Sequence, residues 1–226
     1  MRGIDENNNF IWFMASLVLL LFVSAVVDST PDGEDLILVR LVILVTEIVA
    51  FMTLNLGRRW RQFVVAMILL IVVFNAADHY FKQPPTAGLS LFAAFVFFVG
   101  MAVAASRQAL FSGRVDLNTI VGALAIYLLL GLIWATLYLM TLEVWPQAFN
   151  GMEPLHWADN FSDALYFSYV TMTSLGYGDI SPAAPVSRVL AYLQAVTGAF
   201  YMAIVVASLV GARTSRPRQN SPSNQE

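Results

Sequence analysis

The chain has 226 residues, of which 58% are hydrophobic and only 12% are charged, and its formal net charge is −3. A soluble domain carries about 25% charged residues, so this composition excludes an ordinary soluble protein and indicates a multi-pass membrane protein. The sequence has no cysteine, which excludes disulfides, cysteine nucleophiles and cysteine metal ligands. No cluster combines a nucleophile, a base and an orienting group, so we predict that the protein is not an enzyme.

Six apolar segments approach or exceed the ~20 residues that span a bilayer as an α-helix. They cover residues 10–27, 36–56, 63–77, 87–105, 119–142 and 186–212. The first segment looks like the apolar part of a secretory signal, but Asp5 and Glu6 stand before it, where a signal peptide is basic. We therefore predict that it is a retained helix.

Basic residues indicate the orientation of these spans, because cytoplasmic loops are enriched in lysine and arginine. The arginines that decide it lie after the second, fourth and sixth segments: Arg58, Arg59, Arg61, Arg107, Arg114, Arg213, Arg216 and Arg218. The alternate loops are acidic. We predict that both termini are cytoplasmic and that the protein resides in the plasma membrane, which is the inner membrane in a bacterium.

Two charged residues, Arg40 and Glu47, lie within the second segment. Charges inside a membrane are candidate functional residues, although Arg40 can also extend toward the interface while Glu47 finds a polar partner. Asp78 and His79, at the outer end of the third segment, are candidate partners. The fourth segment contains no arginine inside it, and Arg107 only ends it. We therefore do not expect a voltage sensor, which needs several regularly spaced arginines.

The region between the fifth and sixth segments contains a third kind of element. A polar loop, 143–160, is followed by FSDALYFSYVTMT, a helical pattern that is too short to span. Asn160 or Ser162 is a suitable N-cap, Asp163 suits the first turn, and Pro185 suits the first turn of the last helix. Because the flanking spans must both have their outer ends on one side, we predict a half-helix that enters the membrane and returns.

The sequence SLGYGD follows this half-helix, and its backbone is non-helical at membrane depth. Such backbone is tolerated only inside protein or along a water-filled path, so residues 174–178 are predicted to line a pore. Gly176 and Gly178 adopt positive φ without steric cost, and their alternation with Leu175 and Tyr177 turns successive carbonyls the same way. A ladder of carbonyl oxygens replaces the hydration shell of a cation.

The sequence TSLGYGD resembles the filter signature of potassium channels, T-T-V-G-Y-G-D, and the resemblance extends over about residues 119–211. It implies that K⁺ binds to the backbone carbonyls of Ser174, Leu175, Gly176 and Tyr177. It also implies that the Ser174 hydroxyl is the innermost ligand and that Gly178 faces the outer mouth. The ring of Tyr177 is expected to point away from the pore and to hold the filter at its width.

This chain departs from the family pattern at several positions. Ser174 replaces the second threonine, and Leu175 replaces valine. Tyr166 and Phe167 stand where many relatives have two tryptophans, and Val170 stands where some have a glutamate that holds the filter aspartate.

We therefore expect another residue to hold the filter aspartate, Asp179. The residues expected to support the filter are Thr173, Asp179 and Tyr166.

The predicted fold is an all-α membrane protein with six transmembrane helices, a re-entrant pore helix and a filter loop. Since one chain supplies one column of carbonyls and a cation needs a ring, four identical copies are expected around the axis. Residues 1–113 are predicted to form a four-helix N-terminal region, 114–212 the pore domain, and 213–226 a disordered cytoplasmic tail. Gly198 is a candidate gating hinge or a close-packing glycine, and His156 is a candidate pH sensor or a solvated loop residue.

The predicted function is a K⁺-selective channel that conducts passively, with K⁺ and membrane lipids as partners and no nucleic acid. A potassium uptake carrier is a second hypothesis, although carriers of this kind have joined, degenerate filters in a longer, repeated chain, and neither feature is present. The sequence is also compatible with a weakly selective cation channel and with a non-conducting sensor or scaffold.

Overall fold

The computed structural model describes residues 9–28, 45, 48–49, 58–81, 84–110 and 117–214. Its helices are α1 (Asn9–Asp28), α2 (Arg58–Phe81), α3 (Pro84–Leu110), α4 (Leu117–Val144), α5 (Phe161–Met172) and α6 (Pro185–Thr214), and its strands are β1 (Phe149–Asn150) and β2 (Ser181–Pro182). Residues 45, 48 and 49 are also helical and lie in the second predicted span. Arg40 and Glu47 lie outside the described residues.

The described part of the chain is mostly helical, as predicted. Among the described residues, three helices are long and apolar enough to cross a membrane, over Gly88–Ala109, Asn118–Val144 and Pro185–Ser208. The apolar stretches of α1 and α2 are shorter, Phe10–Val26 and Trp60–Leu70. These helices fit an all-α membrane protein.

Helix α4 lies at the centre of the packing. Helices α1, α3, α5 and α6 all pack against it, and α2 packs against α3. Gly122 of α4 lets α1 and α3 come close to α4 at one point. A Cβ on Gly122 would lie 2.8 Å from the Cβ of Ala109 in α3 and 3.3 Å from the ring of Phe10 in α1. Small residues let the backbones of membrane helices come close together in this way.

One face of α1 is buried because its apolar residues recur every three or four positions. Phe10, Phe13, Leu17 and Leu20 are all buried, and this spacing places them along one side of a helix. The opposite side carries exposed apolar residues such as Phe22. An apolar surface on both faces is what a helix needs between protein and lipid.

The segment after α4 is held against the segment that precedes α6. Strands β1 and β2 pair antiparallel, with Phe149 opposite Pro182. The Ala148 carbonyl accepts hydrogen bonds from Ala183 N at 2.8 Å and from Ser187 Oγ at 2.6 Å. The sequence predicts a polar loop here and no strands, because a two-residue strand is too short to show a period of two.

Candidate functional site

The half-helix predicted from the sequence is α5, and Asn160 occupies its N-cap position. The side chain of Asn160 does not cap the helix. Its amide Nδ2 instead donates to the carbonyls of Glu153 at 2.9 Å and Leu155 at 3.3 Å. The predicted capping bond of Asn160 is therefore wrong, because the buried amide is used to hold the preceding loop. Asp163 lies in the first turn as predicted.

The C-terminal end of α5 has the hydrogen bonds of a Schellman motif. Ser174 N donates to the Thr171 carbonyl at 3.0 Å, and Leu175 N donates to the Val170 carbonyl at 2.9 Å. This motif places the first residue after the C-cap in the left-handed conformation, which glycine usually occupies. Here that residue is Ser174, with φ 59°.

Left-handed residues continue at every second position after the helix. Ser174 and Gly176 both have φ 59°, and Gly178 has φ 85°. The predicted conformations of Gly176 and Gly178 are therefore present, whereas the left-handed conformation of Ser174 was not predicted. Alternation of hand at successive residues directs their carbonyls to the same side, whereas successive residues of an extended strand face opposite sides.

This segment lies on the surface of the single chain. Residues 173–179 are all exposed, between the buried Met172 and Ile180. The side chains of Leu175 and Tyr177 are 56% and 68% exposed. Apolar and aromatic side chains of this size are left uncovered because one chain supports the segment from one side only.

Asp179 is held by a tyrosine of α5. Tyr166 Oη donates to Asp179 Oδ2 at 2.6 Å, and Ile180 N donates to Asp179 Oδ1 at 3.0 Å. The hydrogen bond from Tyr166 holds the pKa of Asp179 below its ordinary value, and the same bond raises the pKa of Tyr166 to about 12. The Tyr166 ring also lies parallel to that of Tyr177, with centroids 6.5 Å apart.

Thr173, which the sequence predicts to support the filter, is the C-cap residue of α5. Its hydroxyl donates to the carbonyl of Tyr169 at 2.7 Å. The structure thus brings Tyr166, Asp179 and Tyr177 together at one end of the exposed segment, and it places Thr173 at the other end.

Phe167 belongs to a different aromatic group. Its ring packs against those of Tyr138 and Phe149, with centroids 4.9 and 5.5 Å away. Phe167 is buried and joins α5 to α4 and to the loop that follows α4. Tyr166 and Phe167 therefore have separate roles, one beside Asp179 and one in the protein core.

Behind α5 lies a buried polar junction that was not predicted from the sequence. Gln194 of α6 donates through Nε2 to the Ser168 carbonyl at 2.9 Å and to Ser168 Oγ at 2.7 Å. Its Oε1 accepts a hydrogen bond from Tyr138 of α4. The sequence does contain a signal, since Gln194 is an uncharged polar residue in the middle of an apolar helix, where a bonding partner is required.

Two glycines lie close to α5. A Cβ on Gly131 of α4 would lie 2.2 Å from the Tyr169 ring, and a Cβ on Gly198 of α6 would lie 2.3 Å from the Met172 carbonyl oxygen. Of the two roles predicted for Gly198, the packing role therefore has a contact in the structure, and the hinge remains a prediction. His156 Nδ1 accepts a hydrogen bond from Ala158 N at 3.3 Å.

Comparison with known proteins matches this same region. A family model described as "Ion channel" matches residues 123–214. The inward rectifier potassium channel Kirbac3.1 of Paramagnetospirillum magnetotacticum is 36% identical over 92 residues, which are 41% of this chain and 28% of that protein. The two-pore potassium channel 4 of Arabidopsis thaliana is 32% identical over 79 residues, which are 35% of this chain and 26% of that protein. No solved structure matches significantly.

Helices α4–α6 and the segment between them are thus similar to an ion channel, and the comparisons point to a channel and not to an enzyme. Both relatives are potassium channels, so the resemblance to the potassium-channel superfamily is confirmed. The match covers little more than a quarter of the length of each relative.

Proposed function

We propose that the chain is one subunit of a homotetrameric K⁺-selective channel that conducts passively across the plasma membrane. The observation that carries this proposal is the series of left-handed residues, Ser174, Gly176 and Gly178, at the C-terminal end of a short helix. A backbone of this kind presents a row of carbonyls, and it follows a helix end whose partial negative charge favours a cation.

The proposed K⁺ ligands are the carbonyls of Ser174, Leu175, Gly176 and Tyr177, with the Ser174 hydroxyl innermost and Gly178 at the outer mouth. Carbonyl oxygens replace the water that K⁺ loses on entry, and ions in adjacent sites repel one another onward. Thr173 and Asp179 anchor the two ends of this row, and Tyr166 holds Asp179.

The exposed surface of α6 supports the tetramer. We compare the most apolar stretch of each long helix. In α3 and in α4, 56% of that stretch is buried within the chain, but in α6 only 11% is buried. The uncovered side chains include Phe200 and Ile204. Other copies of the chain would cover this face and residues 173–179 together, and closed cyclic symmetry brings four such segments around one axis.

The helix contacts support six crossings. Phe10 near the start of α1 and Ala109 near the end of α3 meet at Gly122, near the start of α4. Phe63, near the start of α2, packs against Gly100, in the second half of α3. A Cβ on Gly100 would lie 3.0 Å from the Phe63 ring. Helices α1 and α2 therefore begin on the same side, which supports the proposal that a further span, 36–56, lies between them; most of that segment lies outside the described residues.

We assign the side on which these helices begin to the cytoplasm, because the arginines cluster there. Both termini are then cytoplasmic. Residues 1–113 form the N-terminal region that lipids surround, residues 114–212 form the pore domain, and residues 213–226 form a cytoplasmic tail.

A flux assay on the full chain in liposomes tests the proposal. We expect K⁺ flux that exceeds Na⁺ flux and that barium blocks. Equal K⁺ and Na⁺ flux would indicate a weakly selective cation channel, and no flux would indicate a sensor or scaffold. Single-channel currents separate a channel from an uptake carrier, whose turnover is far too slow to give them.

A further inference from the structure

The inner face of α6 matches α5 in register over two successive turns. Gln194 and Gly198 are four residues apart on α6, and the residues they contact, Ser168 and Met172, are four residues apart on α5. Residues separated by four lie one above the other on the same face of a helix. The two contacts therefore act along one line and fix how far α5 extends along α6.

The upper contact uses both N–H groups and the carbonyl oxygen of the Gln194 side-chain amide. Ser168 Oγ donates to the Gly131 carbonyl at 2.7 Å, so it accepts from Gln194 Nε2, and Gln194 Oε1 accepts from Tyr138. Tyr138, Ser168 and Gln194 are all fully buried. Each bond in such a network holds its partners in one orientation, because an unpaired buried group is unfavourable.

The lower contact is a close approach of two helix backbones at a glycine. The position of a Cβ on Gly198 lies 2.3 Å from the carbonyl oxygen of Met172 and 2.7 Å from its Cγ. Because the nearest atom belongs to the backbone, no side-chain rotation relieves that contact. The backbone of α6 therefore lies directly against the last turn of α5.

The last turn of α5 in turn holds the first proposed ligands. The Val170 carbonyl accepts hydrogen bonds from Leu175 N at 2.9 Å and from Gly176 N at 3.3 Å, and the Thr171 carbonyl accepts one from Ser174 N at 3.0 Å. A displacement of this turn along α6 moves the carbonyls of Ser174 and Leu175 with it. Selectivity in a carbonyl filter depends on the number and arrangement of those oxygens.

We propose that Gln194 is a positioning residue for ion selectivity: together with Gly198 it sets the depth of α5 on α6 and thereby the position of the innermost K⁺ ligands. The proposal rests on the proposed function. It assigns to a side chain remote from the ion path an effect on which ion passes, and not only on how stable the protein is.

The test compares Gln194→Met with the wild type in liposomes, measuring K⁺ and Na⁺ flux separately. Methionine has a similar length but makes none of the three hydrogen bonds. We expect the K⁺/Na⁺ flux ratio to fall by about tenfold, which corresponds to about 1.4 kcal/mol of lost preference. The matched control is Thr136→Val, which removes a buried hydroxyl that bonds to Ile133 of its own helix, at 2.8 Å, and which should leave the ratio unchanged.

The thermal midpoint of each variant separates positioning from stability alone. If Gln194→Met lowers the midpoint but keeps the wild-type flux ratio, the junction is merely structural and the inference is wrong. If the wild type itself shows no preference for K⁺, the proposed function fails and the inference fails with it.

If Gln194→Met does not assemble, a second pair of variants with smaller changes provides the test. Ser168→Ala removes one acceptor of Gln194 and the bond to Gly131, whereas Ser16→Ala removes a buried hydroxyl that bonds to Phe13 of its own helix, at 2.7 Å. We expect a reduced K⁺/Na⁺ ratio for Ser168→Ala and the wild-type ratio for Ser16→Ala. Equal ratios in the two variants would overturn the inference.

Discussion

Among the described residues, the contacts between the pore helices differ from the contact that α1 makes with α4. In the pore region, side chains of one helix donate to main-chain carbonyls of another: Tyr169 of α5 donates to Leu128 at 2.7 Å, and Tyr201 of α6 donates to Ala123 at 2.6 Å. In α1, the buried Ser16 donates to a carbonyl of its own helix, and the contact of α1 with α4 includes the ring of Phe10 against a glycine.

This difference indicates that the positions of the helices in the pore region are fixed more closely than the position of α1. A hydrogen bond from a side chain to a main-chain carbonyl sets both the rotation and the depth of a helix, since it weakens steeply with distance and angle. Apolar packing is less specific, and swaps that conserve volume are tolerated. The proposed filter needs ligands at fixed positions, and the hydrogen bonds of Tyr169 and Tyr201 fix the helices that surround it.

The largest expected effect comes from Gly176→Ala. A Cβ at this position meets no described residue within 4 Å, so the change acts through the backbone, where a left-handed L-residue costs about 1–2 kcal/mol. This backbone cost recurs in each of the four subunits of the proposed tetramer. We therefore expect K⁺-selective flux in liposomes to be abolished.

Gly88→Ala in α3 is the matched control for this change. A Cβ on Gly88 also meets none of the residues that the structure describes within 4 Å, and Gly88 is helical. Its substitution should leave flux intact. Normal rubidium flux through the Gly176→Ala protein would contradict the carbonyl filter itself.

The second prediction compares two glycines of α4, one where α4 meets α5 of the pore region and one where α4 meets α1 and α3 of the N-terminal region. The methyl group in Gly131→Ala would meet the Tyr169 ring at 2.2 Å, whereas in Gly122→Ala it would meet Ala109 at 2.8 Å. Overpacking costs about 1–3 kcal/mol, and the first change also disturbs the hydrogen bond of Tyr169. We expect the thermal midpoint of the purified protein to fall by roughly 4–10 °C for Gly131→Ala and by less for Gly122→Ala. Equal losses would mean that α4 packs to the same tolerance against α5 and against the N-terminal helices.

Much of this architecture is predictable from the sequence because the constraints are local. Apolar length predicts the helices, and the short pattern between two spans predicts α5. Gly176 and Gly178 reveal their left-handed conformations through their residue type. Arg40 and Glu47 lie outside the described residues, so their role stays a prediction.

The features that the sequence does not reveal depend on tertiary context. Ser174 is left-handed because a Schellman motif ends the helix there, and serine does not signal this. Asn160 has the right residue type for a cap, but the preceding loop offers its amide two carbonyls. The pairing of Gln194 with Ser168 joins residues 26 positions apart, and only the packed helices bring them together.

The third prediction concerns Tyr166→Phe, which removes the hydroxyl bonded to Asp179. In the wild type that bond lowers the pKa of Asp179. The stabilisation by ionised Asp179 is therefore present above the ordinary carboxyl pKa, about 3.9, and is lost as the pH falls through the lowered value. We expect the variant to lose K⁺ flux at a higher pH than the wild type does, in a titration from neutral pH down to about pH 3.

The carboxyl group itself supplies the control for this titration. Asp179→Asn has no charge to lose at this position, so adding Tyr166→Phe to it should not move the acid limit of flux further. An additional shift in the double variant would show that Tyr166 acts through another partner, such as the parallel ring of Tyr177.

The smallest effect is expected for Ser174→Gly. The sign of its change in thermal midpoint distinguishes a residue just after a helix end from a residue inside a helix. Ser174 has φ 59°, so glycine removes about 1–2 kcal/mol of backbone strain and should raise the thermal midpoint. Ser208→Gly, in the interior of α6, should lower it, because glycine in a helix costs about 0.5–1 kcal/mol. A lower midpoint for Ser174→Gly would mean that the serine hydroxyl contributes more to the folded protein than its backbone strain costs. The hydroxyl would then be bound within the assembled channel, as the innermost K⁺ ligand is proposed to be.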